Sequence, residues 1–75
     1  MRRILVKPFG DGWTVRSDGF ENDMVFKRGR DAENAAKRLG RQMSAWGQAV
    51  EIEVCLRDGE IAGRFVFSPE SSVEA

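Results

Sequence analysis

Seventy-five residues with twelve Lys/Arg against twelve Asp/Glu describe one domain with one core and no net charge, which does not indicate a general polyanion-binding character. A single cysteine, Cys55, and no histidine exclude an internal disulfide and the usual Ser–His or Cys–His nucleophile pairs, and they favour a reducing cytoplasm over secretion. No apolar run approaches the roughly 18 residues of a membrane helix, and Ile4-Leu5-Val6, cut short by Lys7-Pro8, is too brief for a signal-peptide core.

The charge is unevenly spread. Residues 1–41 hold ten Lys/Arg and six Asp/Glu, whereas residues 42–75 hold two and six, so the halves stand near +4 and −4. At this size burial barely exceeds the entropy cost of folding, and stability without a partner subunit is expected to be modest.

In chain order, Ile4 to Phe9 reads as a first strand, with Lys7-Pro8 marking its end or an edge position where proline needs no ladder partner. Gly10-Asp11-Gly12 is a turn of two or three residues. Trp13 to Arg16 alternates as a second strand, with Trp13 and Val15 on one face. Ser17-Asp18-Gly19 turns again, and Met24-Val25-Phe26 predicts a short third strand over about 22–27.

A helix is predicted over 31–46. Ala32, Ala36, Leu39, Met43 and Trp46, spaced 4, 3, 4 and 3, make one apolar stripe that Ala35 widens. Asp31 is the candidate N-cap, Glu33 and Lys37 form an i, i+4 pair, and Gly47 suits the C′ position. Gly40 costs the helix roughly 0.5–1 kcal/mol relative to alanine, and close approach to a sheet is one explanation for it.

The strongest pattern is Ala49 to Phe67, which reads as a β-hairpin turning at Asp58-Gly59 in a two-residue type I′ turn. That turn would set Arg57 opposite Glu60, Leu56 opposite Ile61, Cys55 opposite Ala62, Glu53 opposite Arg64 and Ile52 opposite Phe65. Val50, Ile52, Val54, Leu56, Ile61, Phe65 and Phe67 would then share one apolar face. The opposite-charge pairs on the other face would add roughly 0.2–1 kcal/mol each. The helix is the natural cover for the apolar face. The predicted class is therefore α+β, an antiparallel sheet in the order β-β-β-α-β-β with one amphipathic helix on one face. The domain spans 1–68, followed by a frayed tail over 69–75.

An ordered set of features resembles a bacterial family of small domains of unknown function. The set comprises a first strand ending in Lys7-Pro8, Gly12-Trp13-x-Val15, Val25-Phe26, the helix positions Ala32, Ala35, Ala36 and Leu39, and Asp58-Gly59-x-Ile61. The likeness covers about 4–67 and departs at the helix start, where Gly29-Arg30 replaces the family's Thr-Lys. It implies the fold and brings no catalytic residue or cofactor. Residues 12–39 also resemble, in topology, the plant AP2-type and integrase-arm DNA-binding domains. That likeness would set Trp13, Arg16, Lys27, Arg28 and Arg30 against DNA, although the extra hairpin and the zero net charge depart from it.

No nucleophile–base pair, phosphate-cradling glycine loop or convergent metal-ligand set stands out, so the chain is expected to be non-catalytic, with no cofactor, metal or evident small-molecule substrate. Cys55 reads as a small, partly buried side chain. Trp13 and Trp46 read as core more readily than as base-stacking platforms.

Two functional readings remain. The hairpin's charged face is interrupted by Ala49, Cys55, Ala62 and Val66, and Cys55, Ala62 and Val66 are the candidate interface of a protein-interaction or self-associating module. Alternatively, the basic surface over 27–41 contacts nucleic acid through Lys27, Arg28, Arg30, Lys37, Arg38 and Arg41, together with Arg16. The plain alternative is a solvated helix face.

Overall fold

The computed structural model describes residues 1–19 and 21–69; the rest of the predicted C-terminal tail, 70–75, lies outside the described residues. Its elements are β1 (Arg2–Phe9), β2 (Gly12–Ser17), β3 (Met24–Phe26), α1 (Gly29–Ala45), β4 (Val50–Cys55) and β5 (Ile61–Phe67). This is the predicted β-β-β-α-β-β order in an α+β fold.

All strands join one five-stranded sheet in the order β3-β2-β1-β4-β5. β1 and β2 turn through Gly10-Asp11, with Phe9 opposite Gly12. Gly10 has a φ of 58° and Asp11 stays negative, so this is the two-residue loop, in the II′ sense that matches strand twist. The sheet is not wholly antiparallel as expected. β1 and β4 run parallel, with Ile4 opposite Ile52 and Val6 opposite Val54. The reason is the crossover: α1 carries the chain from β3 back over the sheet to the free side of β1, so β4 starts in the direction of β1. The ladder with β4 stops at Val6, so Pro8, in the central strand, owes no hydrogen bond on that side.

The helix lies over the face formed by Ile4, Val6, Val15, Val50 and Ile52, all essentially fully buried, and contributes Ala32, Ala36 and Met43 to the same cluster. Each such aliphatic side chain stabilises the fold by about 1.5–3 kcal/mol relative to exposure. The small helix residues let the backbone approach closely. At Gly40 a Cβ would lie 2.8 Å from the Phe67 ring and 3.0 Å from Ile52 Cδ1, so glycine here is a packing requirement.

Helix start and one aromatic position differ from expectation. The N-cap is Arg28, with no side-chain cap hydrogen bond, and Asp31 sits in the first turn. There its charge still faces the positive end of the helix dipole. At the other end Gly47 takes φ 91°, and its N–H donates to Ser44 O (3.0 Å) while that of Gln48 donates to Met43 O (3.0 Å), a Schellman closure. Trp46 is the C-cap and is 70 % exposed, not core, because the helix ends before its last apolar position can turn back to the sheet.

The hairpin keeps the expected register along its body, Val50 opposite Phe67, Ile52 opposite Phe65 and Glu53 opposite Arg64, and departs from it at the tip. The loop has three residues, not two. Leu56 N–H donates to Glu60 O (2.7 Å), Gly59 N–H to Leu56 O (2.9 Å), and only Gly59 has positive φ, 92°. That is a type I turn followed by a left-handed glycine. Asp58 holds it by accepting the Glu60 N–H at Oδ1 (3.0 Å).

The extra loop residue displaces the pairing by one, so Cys55 faces Ile61 and not Ala62. A bulge between that pair and Val54–Gly63 then restores the register. The slip turns Ile61 to the face of Cys55, where it is 50 % exposed, and Leu56 at the tip is 42 % exposed. The predicted Arg57–Glu60 pair is not formed.

Candidate interaction surface

With one helix for five strands, no described element covers the second sheet face. It carries Arg3, Leu5, Lys7 and Phe9 from β1, Thr14 and Arg16 from β2, Val25 from β3, Glu51, Glu53 and Cys55 from β4, and Arg64 and Val66 from β5. Among the described residues its charges are matched internally except for Lys7. Arg64 pairs with Glu51 (2.9 Å) and Glu53 (2.6 Å), and Arg3 reaches Glu51 at 3.6 Å. Arg16 forks onto Asp23 through two bonds of 3.2 Å.

The hydrogen bond to Glu53, and then the charges of Glu53 and Glu51, raise the Arg64 guanidinium above its ordinary pKa; Asp23 does the same for Arg16 by hydrogen bond and then charge. A hollow of about 180 Å³ lined by Arg3, Leu5, Arg16, Asp18, Glu51 and Glu53 lies on this face, with charges of both signs at its rim.

The seven basic residues expected to meet phosphate do not form one surface. Arg16 is on the open sheet face and committed to Asp23. Lys27 and Arg28 lie at the β3–α1 junction. Arg30, Lys37, Arg38 and Arg41 are on the outer side of α1, across the sheet from Arg16. Lys37 pairs with Glu33 at 3.0 Å and lies 4.4 Å over the Phe65 ring. Among the described residues no carboxylate comes within ion-pair distance of Lys27, Arg28, Arg30, Arg38 or Arg41. Trp13 turns to the helix side, against the Gly29 backbone, and away from any open face that could read DNA.

The expected interface residues are also divided. Cys55 is half-buried and Ala62, at the bulge, is exposed; Val66 is 58 % exposed at the far end of β5. The Glu51–Arg64–Glu53 group stands between them.

What the residue pattern did not reveal is that β5 is an edge. Seven residues long, it bonds β4 on one side and no described strand on the other. The opposite edge, β3, has three residues. Along β5 only Arg64 is charged, Ile61 and Val66 are exposed, and Phe65 and Phe67 are half-buried. Gly63 inside the strand and Pro69 just past it were the available hints.

Among the described residues no three His, Cys, Asp or Glu side chains converge on a metal-sized site, and no helix is long and apolar enough to cross a membrane. The fold and this surface define a small two-layer α+β domain with one long edge strand whose outer side meets no described strand. Comparison with protein-family models, with curated proteins and with solved structures finds no match.

Proposed function

We propose that this chain is a non-catalytic interaction module that binds another polypeptide by adding a strand to β5. A single observation carries the reading: β5 presents a seven-residue, nearly uncharged edge with Ile61 and Val66 exposed. Unpaired main-chain donors and acceptors on such an edge are a template for a further strand, with alternate side chains supplying specificity. The bulge at its turn end takes the tip out of the template and leaves residues 63–67 as the part that can pair. The lone half-buried thiol, Cys55, fits work in a reducing, cytoplasmic setting, and the family resemblance fits a bacterial source.

The test is capture on the immobilised chain, comparing the native protein with Val66→Arg. The substitution adds charge to the edge at an exposed position and leaves the core untouched. A bound polypeptide retained by the native chain and lost with Val66→Arg supports the reading; equal retention by both rejects it.

The unpaired cations on the outer side of α1 favour a second reading, contact with nucleic-acid phosphate. Arg38 and Arg41 border a shallow hollow with Gln42, and no described carboxylate neutralises them. Binding of this kind weakens steeply with salt. Titration with duplex and single-stranded oligonucleotides at low salt tests it: loss of binding with Arg30→Glu, Arg38→Glu and Arg41→Glu combined supports it, and no binding by the native chain ends it.

A further inference from the structure

We infer that the strand added to β5 is the β5 of a second copy of this chain, paired antiparallel about Phe65, so that two five-stranded sheets join into one across a two-fold axis. The inference rests on the strand-addition reading and names its partner.

The register follows from the bulge. In a two-fold antiparallel pair, residues directly opposite have a constant sum of numbers and share a face. The turn end of β5 is irregular through Ile61 and Ala62, and the regular ladder runs over residues 63–67. Only a pairing centred on Phe65 matches the whole of that segment with itself. It sets Phe65 against the second copy's Phe65, Arg64 against its Val66 and Gly63 against its Phe67.

Each of these pairs is chemically sound. A centre at Arg64 would put two guanidinium groups directly opposite, an unfavourable arrangement. One step further along, each arginine meets an exposed valine, and its charge is already held at 2.9 Å by Glu51 and 2.6 Å by Glu53 of its own chain. No cation is desolvated without a partner. Gly63 has no side chain to clash with the second copy's Phe67, whose ring packs against its own Gly40. Phe65 is half-buried beneath Lys37, and its symmetry mate covers ring surface that Lys37 leaves open. On the helix side α1 packs chiefly over the strands inward of β5, so the edge itself is approachable. β3 is too short to compete, so the pairing closes as a dimer and does not propagate.

Cross-linking reads the register directly. In a Cys55→Ser background, Arg64→Cys and Val66→Cys are placed on separate chains; the Arg64 side chain is 53 % exposed and Val66 58 % exposed, so both variants keep the core intact. Directly opposite antiparallel residues lie about 4.5–5.5 Å apart between Cα atoms, within disulfide reach. Under mild oxidation the equimolar mixture is expected to give a mixed Arg64→Cys/Val66→Cys dimer, with little product from either variant alone. Sedimentation of the native chain is expected to rise with concentration from 8.4 kDa toward twice that mass, and Val66→Arg is expected to stay near 8.4 kDa.

Self-linking by Arg64→Cys alone overturns the Phe65-centred register. A native chain that stays at 8.4 kDa up to millimolar concentration, with no mixed cross-link, overturns the second copy as occupant. If that monomer still captures a polypeptide that Val66→Arg loses, strand addition stands and only this inference falls; if it captures none, both fall.

Discussion

The guanidinium of Arg57 lies 5.0 Å from the centre of the Trp13 ring and donates to three carbonyls of the β1–β2 turn, Gly10 O (3.0 Å), Asp11 O (2.9 Å) and Gly12 O (3.1 Å). One side chain from the β4–β5 loop thereby ties together two turns separated by more than forty residues in sequence. The Trp13 ring also packs on the core cluster and on the backbone at Gly29, where an added Cβ would come within 3.1 Å of it. Trp13 thus locks the start of α1 against the end of the sheet. An exposed cation–π contact contributes roughly 0.5–1 kcal/mol, and the forked hydrogen bonds add to it. Arg57→Ala is expected to lower stability by about 1–2 kcal/mol. Arg57→Lys should recover less than half, because an ammonium cannot span three carbonyls as a planar fork does. Urea unfolding measures both, with the midpoint falling and the slope unchanged.

The two tryptophans are expected to behave oppositely. Trp13 is half-buried between Gly29 and Arg57, whereas Trp46 is 70 % exposed at the helix C-cap. Trp13→Ala should destabilise by about 2–3 kcal/mol, toward the lower end of large-to-small aromatic losses. Trp46→Ala should stay within about 0.5 kcal/mol. Iodide quenching of the single-tryptophan proteins Trp13→Phe and Trp46→Phe checks the geometry without unfolding. The chain that retains Trp46 should quench freely, and the chain that retains Trp13 should resist.

The loop at Asp58-Gly59 separates a three-residue turn from the two-residue turn its sequence suggests. In the observed loop Asp58 keeps negative φ and only Gly59 is left-handed, at 92°. The amide-to-α coupling of Asp58 should therefore report negative φ. Gly59→Asn should cost little, since asparagine tolerates that region, whereas Gly59→Val should cost about 1–2 kcal/mol. Asp58→Ala removes the acceptor of the Glu60 N–H, and about 1 kcal/mol with it. A stable Gly59→Val chain would contradict the loop as described.

How much was legible in the sequence depends on how local the cause is. Alternation along Val50, Ile52 and Val54 and helical spacing along Ala32, Ala36 and Met43 are local patterns, and the structure buries all six. The Glu53–Arg64 pair was legible because register and charge agreed. The tip was not, because Asp-Gly serves both turn types, and the bulge at Ile61 and Ala62 undoes the slip before it reaches Gly63. Strand order was not legible either. Whether α1 returns the chain beside β1 or beside β3 is decided by packing of the whole sheet, so the parallel β1–β4 pair carries no local sign, and β5 as an edge has only the hints of Gly63 and Pro69. The candidate site depends on that edge. Val66 was identified for its apolarity on a charged face, but its position beside an open strand edge required the topology.

Arg64 should be insensitive to pH over the range in which the protein is handled. Its pKa is raised above its ordinary value by the hydrogen bond to Glu53 and then by the charges of Glu53 and Glu51. A raised folded-state value means that its contribution is complete below the unfolded value and fades only as pH climbs through the folded one. Because the guanidinium is solvent-exposed, added salt should weaken the pairs where pH does not. Arg64→Gln should therefore change stability more at low salt than at 1 M salt, and by a constant amount between pH 6 and pH 8. A difference between native and Arg64→Gln that grows with salt would contradict the pairing seen here.

Gly40 sets the distance between helix and sheet. Alanine at a helix interior is worth roughly 0.5–1 kcal/mol over glycine, so the exposed-helix rule says Gly40→Ala stabilises. Packing says the reverse. The new Cβ would lie 2.8 Å from the Phe67 ring and 3.0 Å from Cδ1 of fully buried Ile52. The Phe67 ring is half-buried and can swing outward; Ile52 has nowhere to go, and overpacking of this kind costs typically about 1–3 kcal/mol. The net expectation is a loss of about 1 kcal/mol for Gly40→Ala. Combining it with Ile52→Val removes the clashing Cδ1, so the double variant should lose less than the sum of the two single variants. Thermal unfolding of the four chains in that cycle measures the coupling. Strict additivity would mean that the helix at Gly40 stands further from β4 than 3.0 Å contact implies.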